Sequence, residues 1–213
     1  MHIEIWSDVV CPFCFIGKRK FEEALNQWTG EPITVEWRSF QLDPNAEENT
    51  AHNAYERIAQ KYGVSLAESQ QMHAQVTETA AAVGLHYRFD QVVPTNTSKV
   101  HQVIHLAKEK GLQNEAEERF FKAYFEEGQI LHQPEVLVRL AEEIGMEREK
   151  VESVLEQQTF AKAVLHDQEI GQQIGVQGVP FFVANRKFGL SGAQDPSVFL
   201  RWFAQIEAAT TNE

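Results

Sequence analysis

Two cysteines stand in this 213-residue chain, Cys11 and Cys14, both inside "SDVVCPFCFIG". A pair at this spacing can ligate a metal, close a small staple or cycle between dithiol and disulfide. A structural zinc site takes four Cys or His ligands, often from two paired motifs, and there is no second cysteine pair. Of the eight histidines only His101 and His105 have ligand-like i, i+4 spacing, and only a long-range coincidence would bring them to the cysteines. No metal site is expected. A staple across two residues closes almost no loop. Redox cycling is the reading that also uses the residues around the pair.

The elements that must hold the pair are legible. "HIEIWSDVV" has a strand pattern carried by Ile3, Ile5, Trp6, Val9 and Val10. Pro12 suits the first position of a helix, because its φ is already helical. Over 12–28, Cys14, Gly17, Phe21, Leu25 and Trp28 recur at helical spacing on one face. Cys14 is therefore expected on the core face, and Cys11 at the helix N-terminus beyond the packed stripe. Unpaired N–H groups and the helix dipole favour an anion there, so Cys11 is the expected attacking thiolate and the more buried Cys14 the resolving thiol.

A second piece is "IGVQGVPFFVANRKFGLSGAQDPSVFLRWF". Its strands "PFFVA" and "KFGLSG" join tightly through Asn185 and Arg186. Asp195 then caps a helix with Pro196 first. Pro180 opens the first of these strands, where a missing donor is tolerated. Between the two pieces, "ITVEWRSF" predicts another strand. A series of helices follows, beginning with 51–63 and 65–84 and closing with 159–175. Met72, Val76, Ala80 and Val83 form one expected core stripe. Val100, Val103, Ile104 and Ala107 form another, with His101 and His105 partly buried on its flank. Met72 and Met146 are expected to fill core gaps.

Thirty-one acids against 19 bases give a net charge of −12, which argues against nucleic acid or anionic membrane as partners. The acids in "EEALNQW", "EAEER", "FEEG" and "EEIGMEREKVE" predict solvated helix faces. No run approaches the roughly 20 apolar residues of a membrane span. The opening "MHIEIWSDVV" has no basic start, apolar run or cleavage site, so a cytoplasmic location is expected. The glycines at 171, 175 and 178 follow no dinucleotide fingerprint.

"IWSDVVCPFCFIGKRKFEEAL", "RSFQLDPNA", "TNTSKVHQVIHLAKEKG" and "GVQGVPFFVANRKFGLSGAQ" resemble the DsbA-like thioredoxin proteins of the FrnE type, over nearly the whole chain. The resemblance implies an α/β thioredoxin fold with a large α-helical domain inserted after the second strand. Residues 1–45 and 158–213 would form the thioredoxin part, and 46–157 the insertion. It implies a cis bond between Val179 and Pro180 against the active site, leaving the Val179 backbone free to pair with an extended substrate. Pro12, Phe13, Val179 and Pro180 would touch substrate, and Asn96 and His101 would stand on the groove wall facing Cys11. Val9, Val10, Phe13 and Val179 would form an apolar rim, with Phe13 exposed.

The implied activity is thiol–disulfide exchange on thiol- or disulfide-bearing proteins or small thiols. Reduction or isomerisation is favoured in a reducing compartment. No bound cofactor is implied; glutathione is a candidate co-substrate. The chain also departs from its relatives. Thioredoxin and periplasmic DsbA carry a buried acid six residues before the first cysteine, where Ile5 stands here. Glu4 should point to the opposite face of its strand. Asp8 is a candidate either for proton transfer or for the turn. Phe13 lacks the imidazole of the CPHC variant, so a less oxidising pair than periplasmic DsbA is expected. Kappa-class glutathione transferases and 2-hydroxychromene-2-carboxylate isomerases share the "NT" helix start and "GVP", but typically place serine where Cys11 stands. The cysteine pair therefore favours disulfide exchange over that chemistry. It also favours exchange over a binding module or holdase that uses the rim alone.

Overall fold

The computed structural model describes residues 1–47 and 52–211. Ala51, the first residue of the predicted helix 51–63, and positions 212–213 lie outside the described residues. Strands β1 (His2–Ser7) and β2 (Thr34–Ser39) run parallel, joined by the crossover helix α1 (Pro12–Gln27). Strands β3 (Phe181–Ala184) and β4 (Phe188–Ser191) form an antiparallel hairpin, and β3 lies antiparallel to β1. The sheet order is β2-β1-β3-β4. Among the described residues six helices, α2 (Ala54–Tyr62), α3 (Leu66–Ala81), α4 (Ser98–Glu109), α5 (Gln113–Phe125), α6 (Pro134–Glu143) and α7 (Arg148–Gln157), separate β2 from α8 (Ala161–Gln173). Helix α9 (Pro196–Thr211) closes the chain. This is the thioredoxin sheet with extra helices that the sequence predicts.

Alternation along β1 sorts its side chains between two faces. Ile3 and Ile5 join Phe21 of α1, Phe182 of β3 and Phe199 and Phe203 of α9 in one apolar layer. Trp6 points the other way, toward α8, and its indole N–H donates to the Asp167 carbonyl at 2.8 Å. The β3–β4 turn has positive φ at Asn185 (49°) and Arg186 (54°). The loop has three residues, 185–187, and the Lys187 N–H closes it on the Ala184 carbonyl at 3.0 Å. The outer edge of β2 is closed by a side chain. The Gln113 amide accepts from the Trp37 N–H at 3.1 Å and donates to its carbonyl at 2.9 Å.

The inserted helices bury their own core, with Val100, Val103, Ile104, Phe120, Phe121, Leu137 and Leu140 among it, and this core runs on into Cys11, Cys14, Phe15 and Ile16. Helix α1 therefore serves two layers. Phe21 faces the sheet, while Phe15 stacks on Phe121 at 4.9 Å. The cysteines sit on the seam between the layers. No helix among the described residues is long and apolar enough to cross a membrane.

Three expectations change. Met72 is exposed, although Ala80 of the same stripe is buried and Val76 and Val83 pack against the core; α3 buries Ser69 and His73 in its place. The His73 ring lies edge-on to Tyr55 and Phe89 at 4.9 and 4.5 Å, so these aromatics select the helix face that the apolar count missed. Val9, placed on a rim by the sequence, is wholly buried in the helical core. His101 and His105 are not flank residues: both are buried, because the β2 end, the turn after β1 and α8 cover that side of α4 with polar groups that meet the rings. Met146 is buried, as expected.

Candidate active site

Cys11 is the N-cap residue of α1, with extended backbone, and Pro12 is the first helical residue. The Cys11 N–H donates to the Asp8 carbonyl at 2.9 Å, and the Cys14 N–H to the Cys11 carbonyl at 3.0 Å. Both thiols are free. Cys11 is 4% exposed and Cys14 1%. The order of burial matches the helical spacing, but Cys11 is far more covered than a position beyond the packed stripe implies. Its cover comes from both layers. The Val179–Pro180 bond is cis, and the Cys11 thiol donates to the Val179 carbonyl at 3.4 Å. That carbonyl is therefore engaged in the dithiol form rather than free. It is released when Cys11 loses its proton.

The Val179–Pro180 loop approaches α1 closely at Gly17, where a Cβ would meet Pro180 Cγ at 3.0 Å. Gly17→Ala is expected to force the loop outward by a few tenths of an ångström. It should destabilise the fold by about 1 kcal/mol, the low end of overpacking costs, and weaken the Cys11–Val179 contact. Thermal unfolding, together with iodoacetamide labelling rates at Cys11, checks this. Labelling as slow as in the parent would show that the loop had not moved.

The helical layer supplies Tyr87, whose hydroxyl donates to the Pro12 carbonyl at 2.7 Å. Its ring is packed against Phe125 at 4.6 Å. Burial pushes its phenol up, and Cys11 and Cys14 push it further. No sequence motif marks Tyr87, because its partner is a backbone carbonyl 75 residues away. Phe13 is 45% exposed, and Leu42 39%. The Leu42 N–H donates to Asp8 Oδ2 at 2.8 Å, which holds this apolar side chain near the active-site turn. Val10 and Val179 are half-buried.

Burial pushes the Cys14 thiol up, and the adjacent Cys11 sulfur adds to this. The Asp8 N–H and the Ser7 hydroxyl oppose them from the end of β1. The carboxyl of Asp8 faces away from Cys11, with Oδ1 3.4 Å from His101 Nε2. That same nitrogen lies 3.1 Å from the Phe40 carbonyl. At 1% exposure, His101 stands behind the cysteine turn and does not open onto a groove, contrary to expectation. Asn96 holds a loop. Its Nδ2 donates to the Pro44 and Ala46 carbonyls at 3.0 and 3.2 Å, and its Oδ1 accepts the Ser98 N–H at 3.0 Å. Glu4 does lie on the opposite face from Ile5. It pairs with Arg38 at 2.6 Å and Arg186 at 3.0 Å, and these arginines hold its carboxyl below the usual range against the cost of burial. Asp195 precedes α9, and its carboxylate takes the Lys20 ammonium at 2.7 Å.

The family model described as "DSBA-like thioredoxin domain" matches residues 2–203. The chain is 31% identical over 205 residues to the uncharacterized protein YwbO of Bacillus subtilis, covering 93% of this chain and 94% of that one. A crystal structure of a probable DsbA oxidoreductase from Streptomyces coelicolor superposes with a TM-score of 0.92 at 36% identity, over 96% of this chain and 89% of that one. A 2-hydroxychromene-2-carboxylate isomerase shares the fold, with a TM-score of 0.70 at 14% identity over 100% of this chain and 98% of that one.

Proposed function

The chain belongs to the DSBA-like thioredoxin domain family, and on that premise we propose that it is a thiol–disulfide oxidoreductase working through Cys11 and Cys14. The carrying observation is the pair itself. Cys11 caps a helix beside the Val179 carbonyl, and Cys14 lies shielded next to it. The Cys11 thiolate attacks a substrate disulfide and forms a mixed disulfide. Cys14 then attacks the Cys11 sulfur and expels the substrate thiolate. Exposed Phe13 and Leu42, with half-buried Val10 and Val179, supply apolar contact for thiol- or disulfide-bearing proteins or small thiols. In a cytoplasmic setting the direction is reduction or isomerisation, with glutathione as the candidate small-thiol partner.

A 2-hydroxychromene-2-carboxylate isomerase shares this fold, so the fold alone does not choose between disulfide exchange and the alternative, a glutathione-dependent isomerase or transferase chemistry. Cys14 favours disulfide exchange. An isomerase that carries glutathione on a small molecule has no use for a second, buried thiol beside the first. The test is the equilibrium of the pair across a series of glutathione redox buffers, read by alkylation and mass. One reversible two-electron transition is expected. A pair that stays dithiol in every buffer would sink the proposal and leave the isomerase.

A further inference from the structure

Tyr55 of α2, His73 and Glu78 of α3, and Tyr87, Phe89 and Asp90 between α3 and α4 line a cavity of about 430 Å³. Four rings form a continuous wall. Tyr55 meets His73 edge-on at 4.9 Å, His73 meets Phe89 at 4.5 Å, and Phe89 meets Tyr87 at 5.5 Å. Glu78 and Asp90 are exposed. The remaining lining residues are uncharged, so among the described residues the cavity holds two carboxylates and no cation.

Elsewhere in the chain Glu22, Glu118, Glu143 and Asp167 each take a lysine or an arginine. Glu78 and Asp90 take none: among the described residues neither side chain makes a hydrogen bond or an ion pair. The buried part of the wall is also short of donors. His73 is 8% exposed. Its Nδ1 lies 2.8 Å from the Ser69 carbonyl, so that nitrogen carries the proton and donates. Burial pushes the imidazole down, which keeps it neutral at pH 7 and leaves Nε2 an acceptor without a partner. Burial and the Asp90 carboxylate push the Tyr55 phenol up, which places the Asp90 charge against the rings. The cavity thus offers a ligand two anions, a lone pair and aromatic surface. A guanidinium matches that set. It has five N–H donors and no acceptor, pairs with carboxylates and stacks on aromatic faces.

Tyr87 joins the cavity to the cysteines. Its ring is part of the wall, and its hydroxyl holds the Pro12 carbonyl, one residue from Cys11, at 2.7 Å. We propose that this cavity is a subsite of the disulfide-exchange centre and takes an arginine side chain of the substrate, set at a fixed spacing from the substrate's cysteine.

This deepens the exchange reading and rests on it. The preferred substrate is an arginine-bearing protein or peptide disulfide, held at Cys11 by its sulfur and past Tyr87 by its guanidinium. The net charge of −12 draws any cation toward the protein, so the test separates capture in the cavity from attraction at long range. Capture depends on where the arginine stands in the substrate; attraction does not.

Stopped flow reads the difference. Short peptides carry one cysteine joined by a disulfide to a coloured aromatic thiol. The Cys11 thiolate bonds to the peptide sulfur, the peptide–aryl disulfide breaks, and its electron pair leaves on the coloured thiolate. One arginine is walked along the peptide on either side of the cysteine. Each peptide has a citrulline match, which keeps the shape and loses the charge. In about 0.5 M salt, where long-range attraction is screened, the arginine-to-citrulline ratio of second-order rate constants should reach about tenfold, the low end for a hydrogen bond to a charged group. It should do so only around one position. Lysine there should gain less, having three donors and no flat face. Asp90→Asn with Glu78→Gln should bring the ratio close to one. Glu149→Gln with Glu156→Gln, exposed on α7 and no part of the cavity, should leave it as in the parent. A ratio alike at every position, a ratio of one throughout, or equal loss in both double variants overturns the subsite. A lysine gain equal to that of arginine overturns the guanidinium assignment. In each of these cases the reaction of the citrulline peptides leaves the exchange reading standing. If the parent releases no colour from any peptide, both fall.

Discussion

Cys11→Ser is expected to lower disulfide reduction by roughly a thousandfold or more, the scale on which loss of a nucleophile acts. A serine hydroxyl at the helix N-cap keeps the backbone geometry but supplies no thiolate at neutral pH. Cys14→Ser should behave differently. The first attack survives, because Cys11 keeps its place beside the Val179 carbonyl. Resolution stops, so the mixed disulfide accumulates and is seen as an adduct by mass. The two variants thus assign the roles independently. An adduct in Cys11→Ser, or none in Cys14→Ser, would contradict the division of labour. Disulfide reduction at the parent rate in Cys11→Ser would sink the mechanism.

The thioredoxin half was legible because its signals are local. A strand pattern, a proline after Cys11 and a tight hairpin each fix a backbone conformation within a few residues. The core stripe of α4 was legible for the same reason, since Val100, Val103, Ile104 and Ala107 are all buried. The site behind the cysteines was not. Glu117 lies in "EAEER", an acid-rich run that composition assigns to a solvated face, yet it shares the buried side of α5 with Ala116, Phe120 and Phe121. Spacing from those phenylalanines held the only clue. His101 looked like a groove residue because its true partners, Asp8 and the Phe40 carbonyl, are far away in sequence. Met72 failed for a related reason: aromatic partners outside its helix chose His73 for the interior. Polar burial is set by such distant partners, and periodicity carries no record of them.

Asp167→Ala is expected to cost about 3 kcal/mol, the lower end for stripping one partner from a buried ion pair. Asp167 is 1% exposed on α8. Its Oδ1 takes the Arg38 guanidinium at 2.9 Å, while Oδ2 accepts the Ser39 N–H at 3.0 Å and meets His105 Nε2 at 3.1 Å. One carboxylate thus fastens α8 to the end of β2 and to α4. The lower figure applies because Arg38 retains Glu4 and Glu36. Such a loss should lower the midpoint of thermal unfolding by roughly 6–12 °C for a chain of this size. Asp167→Asn, which still accepts from Ser39, should cost about half as much. The acid limb follows from the same residues. Burial raises the Asp167 carboxyl, but the His105 and Ser39 hydrogen bonds and the Arg38 charge outweigh it and hold it below the usual range; Arg186 and Arg38 do the same for Glu4. Both carboxyls therefore contribute stability that is fully present above their unfolded values, about 3.9 for Asp and 4.3 for Glu, and lost as pH falls through the lower folded values. The parent should lose stability steeply below about pH 4, and Asp167→Ala less steeply, because one of the two groups is gone. Unfolding midpoints measured from pH 7 down to 3 decide it: parallel curves for parent and variant would mean that Asp167 titrates alike in the folded and unfolded chain.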